Sequence, residues 1–341
     1  MSNLALNLPS DNHRAGIQLS NPFSVVIPSC LSVVRAAQDV SINEKKVEYF
    51  AEQMPSKYEI AWKFSGKYHY TGDEFTTLRY VLCIGAINFG SGYAADLIRS
   101  VPGSTYYTVA SHLKNAVLRD PSVLRTSRLQ KITQDEVREI FGQEHNNNPN
   151  ASNLMLEFAT SLNELGHWLE SQYDDDLSRL TQDARSAERM LRSILLMKRF
   201  CDMSYYDKRP VYFFKRAQLL VADLARIGRE FGWWKTTGLI NLTIFADNAV
   251  AHVMRSLGLL DYSDTLTRRI DRGDYLERGE PCENEIRAAS IIVGEMLRKQ
   301  LVDRRNWPTI LEIDHYLWDI SHDSGYQDNL SRRHKCRTIA Y

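Results

Sequence analysis

The sequence contains few cysteines, and none of them is arranged like a disulfide framework or a metal site. Five are scattered through 341 residues, without a CxxC pair or a Cys/His cluster at the spacing of zinc ligands; they are Cys30, Cys83, Cys201, Cys282 and Cys336. This pattern argues against small secreted folds held by disulfides and against zinc-stabilised folds. We therefore expect reduced thiols in a cytoplasmic protein.

Net charge and long apolar runs are also lacking. The chain has 42 Lys and Arg residues and 42 Asp and Glu residues, so no overall basic field exists to hold a polyanion. A stable complex with DNA or RNA is therefore not expected, although a local pocket for one phosphate is compatible with the balance. No stretch reaches the ~18 uninterrupted apolar residues of a membrane span, so we expect no membrane association. The sequence does not indicate an oligomeric state.

Several catalytic signatures are missing. The sequence has no GxSxG elbow, no HExxH pair, no GxGxxG fingerprint and no set of kinase motifs, which argues against the enzyme classes that these motifs mark. None of the nine histidines pairs with another at the spacing of metal ligands. We therefore expect a reaction that requires neither a metal nor an organic cofactor.

Helical periodicity is what the sequence does contain. Apolar residues return every three or four positions in most segments, as in Leu154, Phe158, Leu162, Leu165 and Leu169, or in Ala187, Leu191, Ile194 and Leu195. Thr133 with Glu136 forms a capping-box pattern, and Pro308 fits the first turn of another helix. The sequence predicts a mainly α fold, with at most a small β element such as a strand or hairpin over Trp62 to Tyr70.

The chain is expected to form one domain after a loosely ordered lead-in. Residues 1–22 are rich in Asn, Ser and Pro and show no clear period, as is typical of an unpacked terminus. With 43% hydrophobic content in the chain, residues 23–341 suffice for a single helical domain with a large core. The polar tract from Gln143 to Asn153 is the best candidate for a break between sub-domains.

A carboxylate lies on the apolar stripe of a predicted helix start. Ile244, Val250 and Met254 return at helical spacing, and Asp247 falls on the same stripe. An unpartnered carboxylate is costly to bury, and such positions are where pKa tuning and catalysis are found. The alternative is a structural Asp247 that caps or braces a neighbouring helix, and spacing does not separate the two.

An upstream helix, predicted over residues 212–224, offers a basic partner. Its core side is formed by Phe214, Ala217, Val221 and Leu224. Lys215, Leu219 and Asp223 share another face, with Gln218 beside Lys215. Lys215 is a candidate partner for a phosphate or a carboxylate, and the alternative is a solvated side chain next to Arg216.

Two further segments carry candidate binding residues. The stretch Ile87–Tyr93 has two glycines between Phe89 and Tyr93, which suits a loop whose backbone approaches a flat ring, or else a simple turn. Glu285 and Arg287 lie at the opening of a later helix, where Glu285 either complements the helix dipole or anchors the site. The segment 314–319 adds two carboxylates whose roles spacing does not decide.

Four segments together resemble the queuosine salvage family. FKRAQLLVADL, LTIFADNAV, EIRAAS and DHYLWD occur in the order found in that family, and the upstream YVLCIGAINFGSGY is also similar to it. The resemblance is strongest from Tyr212 to Asp319 and covers the chain from about residue 80 onward, including the closing tail His334–Tyr341. After Asp247 the chain has Asn248 and Ala249 where Arg and Pro often follow in the family, which leaves fine substrate preference open.

The resemblance implies a helical fold similar to that of the helix-hairpin-helix DNA glycosylases. It also implies hydrolysis of the N-glycosidic bond of queuosine 5′-monophosphate, which releases queuine for salvage into tRNA modification. Asp247 matches the family's catalytic aspartate and Lys215 its paired lysine. The residues expected to bind the small-molecule substrate are Asn88, Phe89, Gly90, Ser91, Phe245, Asn248, Asp223, Glu285, Arg287 and Asp319.

Two other functions stay open at this point. A base-excision DNA glycosylase would use Lys215 as an amine nucleophile and extrude its base from a duplex, but it would need a basic binding face. A non-catalytic protein would bind the nucleotide without releasing the base. Within the hydrolase hypothesis, direct attack by water and a covalent intermediate on Asp247 are both compatible with the sequence.

Overall fold

The computed structural model describes residues 19–55, 66–101, 104–304, 309–322 and 333–341. Helices account for most of them, which confirms the predicted mainly α class; the likeness to helix-hairpin-helix glycosylases stays a prediction. The helices are α1 (Phe23–Ala36), α2 (Glu44–Gln53), α3 (Glu74–Ala86), α4 (Thr105–Arg119), α5 (Thr126–Leu129), α6 (Gln134–Ile140), α7 (Pro149–Tyr173), α8 (Leu177–Ala184), α9 (Ala187–Ile194), α10 (Lys215–Glu230), α11 (Asn248–Ser256), α12 (Asp264–Arg272), α13 (Pro281–Arg304) and α14 (Ile310–His322).

The β structure consists of three two-stranded sheets in the described part of the chain. Antiparallel pairs form between β1 (Val40–Ile42) and β4 (Leu260–Tyr262) and between β2 (Met203–Tyr206) and β3 (Arg209–Tyr212); β5 (Tyr275–Leu276) and β6 (Lys335–Cys336) are parallel. This exceeds the one small element expected. Two of the pairs join segments far apart in the sequence. A local alternation of apolar and polar residues therefore does not predict them. The proposed strand over Trp62–Tyr70 lies partly outside the described residues, and residues 66–68 form a turn that is followed by a bend at residue 69.

The helical periodicity gives the core correctly. The five apolar positions named in α7 and the four in and after α9 are all buried, and the capping box of Thr133 and Glu136 is present at the start of α6. The polar tract is shorter than expected and ends at Asn148. There the Asn148 side chain accepts from the backbone N–H of Asn150, and Pro149 takes the first helical position, so the helix begins at that point. Pro308 lies outside the described residues.

The two helices that carry or follow the main motif residues, α10 and α11, pack against different neighbours. α10 packs against α3 and α9, while α11 packs against α14 and α13. Residues from α1 to α14 contribute to one large hydrophobic cluster. None of the described helices is both long enough and apolar enough to cross a membrane.

Candidate active site

A cavity of about 260 Å³ opens between the helices that carry the motif residues. Its walls come from the end of α3 and the loop after it, from α4, α10, the start of α11 and α14, and from the segment 333–341. Both charged residues of the main hypothesis, Asp247 and Lys215, line it. Segments far apart in the sequence therefore share one enclosed space.

Asp247 is the N-cap of α11, so the helix begins one residue after it and not before it as expected. Its Oδ1 accepts hydrogen bonds from the backbone N–H groups of Ala249 (2.9 Å) and Val250 (3.0 Å). Burial by itself would raise the pKa of Asp247, but the Lys215 charge and these two donors hold it below the ordinary value. The carboxylate is thus kept ionised at the positive end of a helix.

Lys215 is buried against this carboxylate. Its side chain is 6% exposed, and its Nζ lies 3.4 Å from Asp247 Oδ2, so the alternative of a solvated lysine is wrong. It is also the first residue of α10, which starts later than expected because Tyr212 ends β3 and Phe214 adopts a left-handed conformation with φ 51°. The bend at Phe214 turns the chain from the hairpin into the helix and points Lys215 toward the cavity.

A buried ion pair connects the two loops that carry these residues. Arg287 donates two hydrogen bonds to the Asp202 carboxylate, at 3.0 and 2.5 Å, and a third to the Ala246 carbonyl at 3.2 Å. The same carboxylate accepts the backbone N–H of Lys215 at 3.2 Å. Arg287 therefore fixes the residue before Asp247 and, through Asp202, the start of α10. Arg287 thus helps to position Asp247 and Lys215, and it does not itself line the cavity.

We expect Arg287→Met to destabilise the fold strongly. Arg287 and Asp202 are 2% and 4% exposed, and removing one partner of a buried ion pair leaves the other charge uncompensated, at a cost of about 3–5 kcal/mol. In urea unfolding, Arg287→Met and Asp202→Asn should each lower the free energy of unfolding, and the double variant should lose clearly less than the sum of the two. Additive losses would show that the pair does not act as a unit.

Asp314 is another carboxylate that lines the cavity, whereas the sequence led us to expect Asp319. Asp314 Oδ1 accepts the backbone N–H of Phe245 at 2.8 Å. The pKa of Asp314 is raised to about 7, mainly by burial; the Phe245 N–H opposes this rise and the nearby Asp247 charge adds to it. The Asp319 side chain is 46% exposed and pairs with the lining residue His315, but Asp319 does not itself line the cavity. Helical spacing contained this signal, because Asp314 flanks the stripe of Ile310, Ile313 and Leu317 and Asp319 lies opposite it.

The other residues expected to bind substrate divide into two groups. Asn88, Phe89, Ser91, Asp223, Phe245 and Asn248 line the cavity, whereas Gly90, Glu285, Arg287 and Asp319 do not. Glu285 accepts the backbone N–H groups of residues 38 to 40 and the Tyr206 hydroxyl. It lies in the second turn of α13, which begins at Pro281, so of the two alternatives for Glu285 the position does not favour the helix-dipole one. Its contacts give it a structural role at the start of β1.

The glycines of the loop after α3 contact the segment 333–341, and the predicted approach of this loop to a flat ring stays a prediction. Gly90 has φ 104° and donates its N–H to the Tyr341 carbonyl at 3.2 Å. A Cβ at Gly92 would lie 2.0 Å from the Cys336 carbonyl oxygen, so a side chain there would displace β6. The loop thus holds the segment that supplies Arg333 and Tyr341 to the cavity.

Several lining residues were missed by sequence reasoning. Arg226 lies one turn after Asp223 on α10, where helical spacing was sufficient to find it. Arg333 and Tyr341 reach the cavity from the end of the chain, and no local sequence pattern predicts such a contact.

Within the described residues, no group of three His, Cys, Asp or Glu side chains is placed to hold a metal ion.

Comparison with known proteins gives consistent matches. A family model described as queuosine salvage protein matches residues 68–341. A Sphaerobacter thermophilus protein named queuosine 5′-phosphate N-glycosylase/hydrolase is 30% identical over 93% of this chain and 97% of its own. Proteins of the same name from Dictyostelium discoideum and Mus musculus are 26% and 24% identical, over 94% and 91% of this chain and 100% and 96% of theirs.

Proposed function

The chain belongs to the queuosine salvage protein family, and we propose that it hydrolyses the N-glycosidic bond of queuosine 5′-monophosphate to release queuine for tRNA modification. The observation that carries this proposal is the Asp247 carboxylate, fixed by a helix N-terminus and by Lys215 at the wall of a cavity. Cleavage of a glycosidic bond passes through a transition state with oxocarbenium character. A fixed negative charge next to C1′ stabilises that state.

Electrostatic stabilisation is the main role that we assign to Asp247. A carboxylate whose pKa lies below the ordinary value is a weak base, so it contributes little by removing a proton before attack. Its two backbone hydrogen bonds and its contact with Lys215 orient it before the reaction starts, and preorganised charges are the ones that lower a barrier most. Asp247 then orients the water and receives its proton as the new bond forms.

Asp314 is the group that we propose as proton donor to the departing base. A 7-deazaguanine has carbon at position 7, so the base cannot be expelled by protonation there. As the bond from C1′ to N9 breaks, the electron pair stays on the base, and a proton from Asp314 reaches ring N3. The water oxygen bonds to C1′, and its proton goes to Asp247. Asp314 suits this role because one of its oxygens is fixed by Phe245 and it lies close enough to Asp247 to interact with its charge.

The rate advantage of the wild type over Asp314→Asn should depend on pH. The pKa of Asp314 is raised to about 7, so the protonated donor is present below that pH and is lost as the pH rises through it. The ratio of kcat/KM for wild type to that for Asp314→Asn should therefore be largest near pH 6 and should shrink above pH 7. Asn keeps an oxygen that accepts the Phe245 N–H, so the variant should fold normally and any change in rate should reflect the lost proton. A constant ratio would rule out proton donation.

One assay tests the proposed function directly. Purified protein is incubated with queuosine 5′-monophosphate, and free queuine and ribose 5-phosphate are quantified by mass spectrometry. Equal release of both products is expected. Binding of the nucleotide without release would instead favour a non-catalytic nucleotide-binding protein, and release from duplex DNA containing a modified base would favour a base-excision enzyme.

We also propose where the protein acts and what kind of partner it has. All five cysteines are free thiols, which fits a reducing compartment, so we propose a cytoplasmic location. The balanced charge of the chain supports a small-molecule substrate without a stable nucleic-acid complex. We also propose that residues 23–341 act as one domain.

A further inference from the structure

Asp223 lies about two helical turns along α10 from Lys215. It is on the same face of α10 as Lys215 and Leu219, and all three side chains line the cavity. Eight residues separate Lys215 from Asp223, which corresponds to about 12 Å along the helix axis. A fused bicyclic base with a hydrogen bond at each end spans a similar length. A base whose glycosidic bond lies at Asp247 therefore directs its opposite edge toward Asp223.

Among the residues that the structure describes, none donates a hydrogen bond to the Asp223 carboxylate. The residue is 4% exposed, and within the described parts of the chain its electrostatic partners are the charges of Arg226, Lys215 and His315, without a direct hydrogen bond or salt bridge. Burial raises the pKa of Asp223 to about 6 although these three charges oppose the rise. A buried carboxylate without donors is costly, and a ligand that brings donors removes this cost.

We propose that Asp223 reads the guanine-type edge of the base, accepting the ring N1–H and the exocyclic 2-amino group. This inference rests on the proposed function, because it places the glycosidic bond at Asp247. The two oxygens of a carboxylate match two adjacent N–H donors in one plane. An adenine-type edge offers an acceptor at N1 and would face the carboxylate with repulsion, so Asp223 selects guanine-type bases over adenine-type bases.

The side arm of queuosine is the competing partner for Asp223, because it carries a secondary ammonium group. The charges around Asp223 favour the neutral guanine-type edge of the base over the cationic arm. Arg226, Lys215 and His315 already act electrostatically on Asp223, and another cation among them would be repelled. Tyr106 also lines this end of the cavity, where burial and then the Asp223 charge raise its pKa, so its neutral ring packs against a flat base without adding charge.

Testing Asp223→Asn on two substrates distinguishes the base edge from the side arm as the partner of Asp223. Queuosine 5′-monophosphate carries the arm, and 7-deazaguanosine 5′-monophosphate has the same edge without it. If the edge is read, the variant should lower kcat/KM by similar factors on both, roughly ten- to a hundredfold for the lost charge-assisted hydrogen bonds. A loss confined to queuosine 5′-monophosphate would assign Asp223 to the arm and overturn the inference. Glu230→Gln, an exposed position on the same helix, is the matched control and should change neither value.

Binding of the free base tests the same inference without catalysis. By calorimetry, 7-deazaguanine should bind the wild type more tightly than 7-deazaadenine, and Asp223→Asn should weaken 7-deazaguanine roughly ten- to a hundredfold. In the wild type this affinity should fall as the pH drops through about 6, because protonation removes an acceptor. Unchanged affinity in the variant overturns the inference. If base binding behaves as expected but no nucleotide is cleaved, the proposed function fails and the assignment of Asp223 stands.

Discussion

Replacing Asp247 by Asn is expected to reduce kcat/KM for queuosine 5′-monophosphate by at least about a hundredfold and up to ~10⁴-fold. The amide keeps the shape of the side chain but removes the negative charge that opposes the oxocarbenium ion. Lys215, 3.4 Å away, then places an uncompensated positive charge near C1′ and raises the barrier further. The nucleotide should still bind, because this change acts on the transition state more than on the ground state.

The fold of the Asp247→Asn variant is expected to survive, and the structure explains why. Asp247 caps α11 by accepting from Ala249 and Val250, and Asn is as good an N-cap as Asp. Asp247→Ala is the informative control, since it removes the cap as well as the charge and should lower the free energy of unfolding by about 1 kcal/mol more. Near-normal turnover of the Asn variant would eliminate Asp247 as the catalytic carboxylate. A purely structural Asp247 predicts that unfolding and activity change in parallel.

The helical fold could be predicted from the sequence because its signals are local. Apolar residues at three- and four-residue intervals place α7 and α9 correctly, and the capping box fixes the start of α6. Helix starts were less accurate where tertiary contacts override the pattern. α10 begins only at Lys215, after a left-handed residue whose strain is compensated by burial of the Phe214 ring, and no propensity scale contains that information.

The site could be predicted only in part, for a similar reason. The resemblance put Asp247 and Lys215 together, and the structure brings them within 3.4 Å. Asp202 could not be predicted as part of the site, because it lies in an irregular segment. Its ion-pair partner, Arg287, is 85 residues away in the chain. Arg333 reaches the cavity from the far end of the chain in the same way. Contacts between distant segments depend on tertiary packing, and the sequence has no periodic pattern that predicts them.

Lys215 could contact the substrate phosphate or act as the partner of Asp247, and the structure favours one of these two roles. As a phosphate contact it would favour the 5′-monophosphate over the nucleoside. As a partner of Asp247 it would act on both substrates, since it would orient the carboxylate and keep it ionised. The contact at 3.4 Å and the 6% exposure of the lysine side chain favour the second role.

Lys215→Met is therefore expected to lower kcat/KM for queuosine and for queuosine 5′-monophosphate by similar factors, roughly ten- to a hundredfold, as a charge-assisted contact of about 1.5–3 kcal/mol implies. The pH profile should also shift. Lys215 lowers the pKa of Asp247 against the effect of burial, so its removal lets the pKa rise, and activity that needs the ionised carboxylate is then lost at a higher pH as the solution is acidified. Lys235→Met, at an exposed position, should leave rates and profile unchanged. A loss restricted to the monophosphate, with the acid limb unmoved, would assign Lys215 to the phosphate instead, because only a residue that acts through Asp247 changes how that carboxylate titrates.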